Sequence, residues 1–422
     1  MTKKHLILLS DNYPNSNGEF FLDDEINVIS NQFQKITVVC SSQKIEAKRP
    51  IPVNVNVIIL PQIRLLKRFL FIFQGLFFLP LWHELFSLKK KFGLNPNFLL
   101  FKILLIDYVR SSEVINELKI NGLTNPEEHV LYAYWHDYKA LAIARLAKSK
   151  GIKTIARGHG WDIDFKRHRP QYLPYKNFIV ENLDLSISIS NFGKSMLQKL
   201  TNSRIHGKIY VSKLGKLNHR IPKLEKKENK SFLICSCSSL IPLKRVDLIV
   251  HFCSFLGLEN LKWIHFGSGK QMEELKLLAK QLNLNAEFKG DTINHEILDF
   301  YHNNYLDLFI NFSIFEGIPV SIMEAQSAGI PVLATAVGGT PEIVNKENGF
   351  LVDQDVDMAE TVELILAFLH DTPENIKIKR EAAYQNWNKY YNAERNYAEF
   401  ADVLLGINES VSPWNKEQNN RN

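Results

Sequence analysis

Short apolar runs alternate along this chain with longer stretches in which apolar residues recur every three or four positions. The first pattern is that of buried strands, the second that of helices with one buried face. HLILLS at 5–10 predicts the first strand, and a polar loop follows at 12–18. In 19–31, Phe20, Leu22, Ile26 and Ile29 keep helical spacing. Further strands are predicted at 35–40, 130–134, 153–156, 185–189 and 208–214, with a helix at 139–148. Strands that alternate with helices predict a parallel, doubly wound α/β sheet. The pattern breaks at HRIPKLEKKENK, 219–230, where Lys223, Lys226, Lys227 and Lys230 accompany one proline, and this segment reads as a linker. Alternation resumes with strands at 231–237, 262–266, 286–289, 308–311 and 332–335, which predicts a second Rossmann-like half. Trp387, Tyr391, Tyr397 and Phe400 then follow a helical pattern up to Leu405. The resulting plan is a first domain at 1–218, a linker at 219–230, a second domain at 231–385, a helix at 386–406 and a disordered polar tail at 407–422.

Residues 64–86, RLLKRFLFIFQGLFFLPLWHELF, depart from this plan. The uncharged core from Phe69 to Trp82, broken by Gln74 and Pro80, falls short of the roughly 20 residues that span a bilayer. Two readings remain: a buried helical insertion, or a helix lying on a membrane surface with Arg64, Lys67, Arg68 and Lys89 to Lys91 at its flanks. MTKKHLILLS resembles a secretory leader only superficially. The run is short and no small-residue cleavage site follows, so it reads as the first strand.

Composition narrows the function classes. Apolar residues make up 45% and charged residues 23% of the 422 positions, which describes a globular chain with an ample core. A net charge of +6 is mild for this length, and no nucleic-acid-binding motif accompanies it. Cys235 and Cys237 are separated by one residue, where redox and zinc motifs usually have two, so these and Cys40 and Cys253 read as free thiols in a reducing compartment.

The densest chemistry lies in FEGIPVSIMEAQSAGIPVLATAVGGTPE, 315–342. Glu316 and Glu324 stand eight residues apart, and Gly317 and Pro319 shape the turn between them. Carboxylates accept hydrogen bonds from hydroxyls, and N–H groups at a helix start hold phosphates. A ligand carrying both groups, such as a nucleotide-sugar, suits this combination. The set Glu316-x7-Glu324, Gly329-x-Pro331-Val332 and Gly338-Gly339-x-x-Glu342 resembles the retaining glycosyltransferases of the GT-B fold, family 4 type, known from bacterial surface-polysaccharide synthesis.

That resemblance implies two Rossmann-like domains facing a central cleft, with a C-terminal helix crossing back to the first domain. It implies transfer of a sugar, with retention of configuration, from a nucleoside-diphosphate sugar to a glycan or lipid-linked acceptor in exopolysaccharide or lipopolysaccharide synthesis. No metal or other cofactor is required. The protein would be cytoplasmic, peripheral on the inner face of the membrane, and able to touch it through 64–86. Glu316, Lys244 and His159 carry the catalytic roles. Glu316 contacts donor-sugar hydroxyls, Lys244 neutralises the leaving diphosphate, and His159, in RGHGWD, faces the sugar. Donor contacts fall to Gly18, Arg245, Gly267, Gly269, Gly290, Gly317, Ile318, Pro319, Val320 and Glu324, the last accepting from the ribose. His136 and Asp162 are placed on the acceptor side. Two positions depart from the pattern: Ser239 stands where the family often has an arginine, with Arg245 as the substitute cation, and Asn17 replaces the first glycine of the first loop.

Asp162-x-Asp164, Asp353-x-Asp355 and Asp355-x-Asp357 do not by themselves make a metal site. A nucleotide-sugar epimerase, a phosphorylase and a non-catalytic GT-B-like binding subunit are the alternatives. Donor consumption without an acceptor would favour the epimerase, and nucleotide binding without transfer would favour the binding subunit. A dehydrogenase fits poorly, because no Gly-x-Gly-x-x-Gly follows the first strand.

Overall fold

The computed structural model describes residues 4–15, 18–42, 49–225 and 231–406. Asn17, the linker residues 226–230 and the tail at 407–422 lie outside the described residues. The chain divides into two compact units. The first runs to Lys213 and resumes at Tyr397, and the second is Leu214–Asn396.

In the first unit seven strands form one sheet: β1 (His5–Ser10), β2 (Lys35–Cys40), β3 (Val55–Ile59), β4 (His129–Ala133), β5 (Lys153–Gly158), β6 (Leu185–Ser188) and β7 (Ile209–Val211). Their order is β3-β2-β1-β4-β5-β6-β7, and every pair is parallel. The central strands are almost wholly apolar because helices cover both faces; Leu6 to Leu9 are at most 1% exposed. Connections leave β1 in opposite directions, so a crevice opens at the carboxyl ends of β1 and β4.

The second unit repeats the design with β8 (Phe232–Cys237), β9 (Leu261–Phe266), β10 (Ala286–Gly290), β11 (Leu308–Asn311), β12 (Val332–Thr335) and β13 (Gly349–Val352), in the order β10-β9-β8-β11-β12-β13. All pairs are parallel, and the order reverses between β8 and β11.

The helix Ala393–Leu405 starts in the second unit and ends in the first. Within the first unit its Phe400 covers the guanidinium of Arg157, 3.9 Å from ring centroid to Cζ. Arg157 is fully buried and pairs with Glu25 at 2.5 Å, while the Tyr132 hydroxyl donates to the same carboxylate at 2.9 Å. A buried charge pair needs such partners, since desolvation otherwise outweighs the attraction, and Arg157 Nε is left without one.

The expectation of a buried insertion at 64–86 fails for most of its surface. The segment forms two helices, Leu65–Leu76 and Leu79–Phe92, bent by 59°. Phe71 and Gly75 face the long helix Phe98–Ile120, where a Cβ on Gly75 would come within 2.6 Å of Leu105 and 2.9 Å of Tyr108. The opposite face is open: Leu65, Leu66, Phe69, Phe73 and Phe77 are each at least 60% exposed. Among the described residues no single helix is long and apolar enough to cross a membrane.

Candidate functional site

In open α/β sheets ligands bind where the strand order reverses. In the second unit that point lies between β8 and β11, and the loops following these two strands carry Lys244 and Glu316. Their side chains meet: Lys244 Nζ lies 2.6 Å from Glu316 Oε1. Ser313 Oγ donates to the same oxygen at 2.7 Å and Asn311 Nδ2 at 3.3 Å. Both charged groups keep some contact with solvent, 21% for the lysine side chain and 12% for the glutamate. A pair at the surface of a crevice can therefore exchange partners with a ligand.

Glu324 sits in the helix Val320–Ser327, which begins after Gly317, Ile318 and Pro319. No side chain caps that helix start, where the first N–H groups of a helix lack intrahelical partners. The Glu324 carboxylate accepts from Asn294 Nδ2 at 2.6 Å and lies 3.6 Å from Lys216 Nζ. Cys237 stands at the end of β8. Burial first, then the charge of Glu324, pushes its thiol up to about 12, and Lys244 acts against them.

The glycines around this site have a different cause from the one expected. Gly267 has φ +126°, and a Cβ there would lie 2.0 Å from the Ser238 carbonyl oxygen. On Gly338, at φ +55°, a Cβ would lie 1.9 Å from the Glu316 carbonyl oxygen, while Gly339 N–H donates to that oxygen at 3.1 Å. The missing side chains let neighbouring loops lie on one another. Gly338-Gly339 thus fixes the acid loop from behind. Gly269 likewise lies against the Leu240 backbone, and Gly290 accepts from Gly267 N–H at 2.9 Å.

Arg245, expected as the substitute phosphate cation, is held by two backbone carbonyls and keeps Nη2 without a hydrogen-bond partner. Its Nε donates to the Phe312 carbonyl at 2.6 Å and its Nη1 to the Gln354 carbonyl at 2.7 Å, so it clamps two loops.

In the first unit His159 follows β5. It is 7% exposed, and its ring is boxed by Tyr134, Trp135 and Phe21 at centroid distances of 4.5, 4.7 and 5.5 Å. Neither ring nitrogen has a hydrogen-bond partner. Burial lowers its pKa to about 3, although Asp162 pulls it upward, so the imidazole is neutral near pH 7.

His136 and Asp162, expected on the acceptor side, are buried and bonded within the unit. His136 is fully buried, with Nε2 3.3 Å from Ser186 Oγ. Asp162 is 4% exposed and accepts three backbone N–H groups, from His136 at 2.7 Å, His159 at 2.9 Å and Gly160 at 3.0 Å. A carboxylate used in this way shapes the loop and has little left for a substrate. Trp161, in the same loop, is 54% exposed, and its ring lies 4.2 Å from that of His168.

Gly18 adopts φ +89°, and its carbonyl accepts from Arg49 Nη2 at 2.7 Å. The loop around it is organised by Glu19, which sequence reasoning missed. The Glu19 carboxylate takes N–H groups from Asp11, Asn12 and Tyr13 at 2.7–3.0 Å and the Trp135 indole at 2.6 Å. Lys216 and Asn294 were missed as well. Of the aspartates weighed for metal, Asp164 accepts from Lys166 N–H and Asp357 caps the helix Met358–Leu369.

Comparison with known proteins fits this geometry. The chain is similar over 96% of its length to the lipopolysaccharide outer core galactosyltransferase WaaB in its apo form, covering 99% of that chain (TM-score 0.66, 12% identity). It is similar over 95% of its length to Anabaena Alr3699/HepE in complex with UDP and glucose, covering 99% of that chain (TM-score 0.63, 16% identity). The fold is therefore GT-B, two Rossmann-like units with parallel sheets. Residues 219–386 match the family model described as Glycosyl transferases group 1. Among curated relatives, the putative colanic acid biosynthesis glycosyltransferase WcaL of Escherichia coli (strain K12) is 28% identical over 247 residues, 55% of this chain. The match spans 60% of that relative's length.

Proposed function

We propose that this chain is a retaining glycosyltransferase that moves a sugar from a nucleoside-diphosphate sugar to a glycan or lipid-linked acceptor in surface-polysaccharide synthesis. The observation that carries this reading is the meeting of Lys244 and Glu316, from separate loops, at the switch point of the second sheet. The group 1 match at 219–386 and the UDP and glucose bound by the HepE neighbour support it. The names of the WaaB and WcaL relatives support the polysaccharide role.

On binding, the donor diphosphate replaces Glu316 as the partner of Lys244, and the uncapped start of Val320–Ser327 offers N–H groups to the same phosphates. Glu316 then accepts from sugar hydroxyls, and Glu324 accepts from the ribose in place of Asn294. The bond between the anomeric carbon and the diphosphate oxygen breaks, and negative charge grows beside Lys244. The acceptor hydroxyl attacks from the face the diphosphate leaves, and its proton passes to a leaving phosphate oxygen. Positioning and charge stabilisation carry the rate, and the reaction requires no metal or cofactor. His159 is a neutral hydrogen-bonding group for the sugar, and Trp161 offers an aromatic face to the acceptor. The protein works in the cytoplasm at the membrane surface, which it touches through 64–86.

A thermal-shift screen of nucleotide-sugars, followed by mass measurement of products with and without acceptor, tests the proposal. One donor should raise the melting temperature and yield a product heavier than the acceptor by one sugar residue. Donor isomerisation without acceptor, or full turnover by Lys244→Ala, would overturn it.

A further inference from the structure

Residues 61–106 hold seven lysines and arginines, Arg64, Lys67, Arg68, Lys89, Lys90, Lys91 and Lys102, against a single acid, Glu84. Glu84 is buried, accepts from the Tyr172 hydroxyl at 2.6 Å, and has its carboxyl pushed up by desolvation. Arg68 pairs with Glu113 at 3.4 Å, and the other cations leave this region with an excess of positive charge. Between the cations lies the open apolar face of Leu65–Leu76, continued across the bend by Phe77 and Leu79, which are 70% and 79% exposed. Trp82 joins the two helices, with its indole donating to the Leu76 carbonyl at 2.7 Å and its ring 5.7 Å from that of Phe101.

Beside this face opens a cavity of about 1020 Å³. Phe77, Phe78, Leu79 and Pro80 line its apolar side, and Lys91, Arg145 and Arg204 share its polar lining with Glu84 and Glu181. Arg204 is paired with Glu181 at 2.5 Å. Arg145 is held differently. Its Nη1 donates to Ser111 Oγ at 2.6 Å, Ser112 Oγ at 2.9 Å and the Tyr108 carbonyl at 3.3 Å, and its guanidinium lies 4.1 Å from the Tyr108 ring. Burial lowers its pKa, and the groups that act against this shift are tyrosines, with no carboxylate among them. A half-buried guanidinium bonded only to hydroxyls and a carbonyl favours an anion, and its fork matches phosphate.

We infer that this cavity receives the phosphate headgroup of an anionic phospholipid, held by Arg145 and Lys91, while the exposed Phe–Leu face rests in the acyl boundary of the same bilayer. The inference rests on the membrane-surface reading of 64–86 given above and adds to it a defined lipid site. Charge complementarity selects this occupant. An anionic leaflet attracts a polybasic rim around an apolar face, whereas a second copy would bring the same cations against each other. The headgroup site needs neither donor nor acceptor, so it is separable from glycosyl transfer.

Two binding measurements on the full chain test it. In flotation with phosphatidylcholine vesicles containing phosphatidylglycerol, the wild type should float and the triple variant Phe69→Ser, Phe73→Ser, Phe77→Ser should stay behind. If the variant floats equally, the membrane reading falls and the lipid site with it. Titration with dihexanoyl-phosphatidylglycerol below its micelle threshold reads the cavity alone. Lys91→Gln and Arg145→Gln should each weaken binding about tenfold, the order expected for one charge-assisted pair. Lys91 is exposed, so its variant keeps the test sound if loss of Arg145 disturbs the fold. Unchanged affinity in Lys91→Gln, or no binding by the wild type, overturns the headgroup site while flotation can still stand. Saturable binding of inorganic phosphate without binding of the short-chain lipid also overturns it. So does a dimer in sedimentation that the triple variant dissolves, because the apolar face would then belong to a second copy.

Discussion

Lys244 and Glu316 meet at 2.6 Å with Ser313 and Asn311 completing the shell, whereas His159 is boxed by three aromatic rings with neither nitrogen bonded. The first arrangement is polar, partly solvated and already paired, so a ligand exchanges one set of ionic bonds for another. The second is dry and uncharged, and its imidazole gains a partner only when something enters. Pairing keeps the charged site stable while empty. The aromatic box keeps the histidine neutral at the cost of an unmet hydrogen-bonding capacity.

The strongest way to break this comparison is to remove the charges. Glu316→Ala and Lys244→Ala should each lower kcat about 10²–10³-fold, the scale for losing one group that stabilises transition-state charge. Lys244→Ala also strands Glu316, so its melting temperature should fall. Adding Glu316→Gln should restore the melting temperature while activity stays lost. Recovery of both would make the pair a structural link only.

Gly338→Ala probes the support behind the acid loop. Its positive φ and the 1.9 Å approach to the Glu316 carbonyl should cost about 1–3 kcal/mol, read from denaturant midpoints, together with a raised donor KM. A lowered kcat with unchanged KM would count against the positioning role.

His159→Phe sharpens the other side. With the box refilled by an apolar ring, stability should hold or rise while kcat falls about 10–100-fold, as for loss of one substrate hydrogen bond. Unchanged activity would mark the histidine as packing.

The smallest effect is the pH dependence. His159 has a folded pKa of about 3 against an ordinary 6.5, lowered mainly by burial. The unfolded chain therefore takes up this proton first. The stability that His159 contributes is full above about pH 6.5 and declines by up to about 1.4 kcal/mol per pH unit as pH falls from there toward 3. His136, His5, His265 and His302, whose pKa values burial also lowers, add to that slope. Urea midpoints from pH 7 to 5 should show the combined slope, and it should become shallower by the share of His159 in His159→Phe.

Much of the fold was legible because buried parallel strands are continuous apolar runs. The ends of β1, β2, β11 and β12 fell where the runs begin and stop. β3 and β13 are only partly buried, and the short, mixed runs VNVII and GFLV carried too little contrast to be assigned. In the site, Lys244 and Glu316 were visible because turn residues and charge coincide in their loops. Glu19, Lys216 and Asn294 were not, since nothing local marks them. Their roles come from partners six or more residues away along the chain, which folding alone brings together. The supporting contacts of His136 and Asp162 were not visible either. Their position after strands was right, but the direction of the side chains was set by Ser186 and by three backbone amides.

Phe400, laid over Arg157, has a consequence for biosynthesis. The first unit is discontinuous in sequence, so the ribosome must make all of Leu214–Asn396 before the cover for that guanidinium emerges. At usual elongation rates this delay is roughly ten to forty seconds. During that interval the nascent first half holds an incompletely shielded charge in its core, which makes the delayed arrival of one phenylalanine the final step of its maturation.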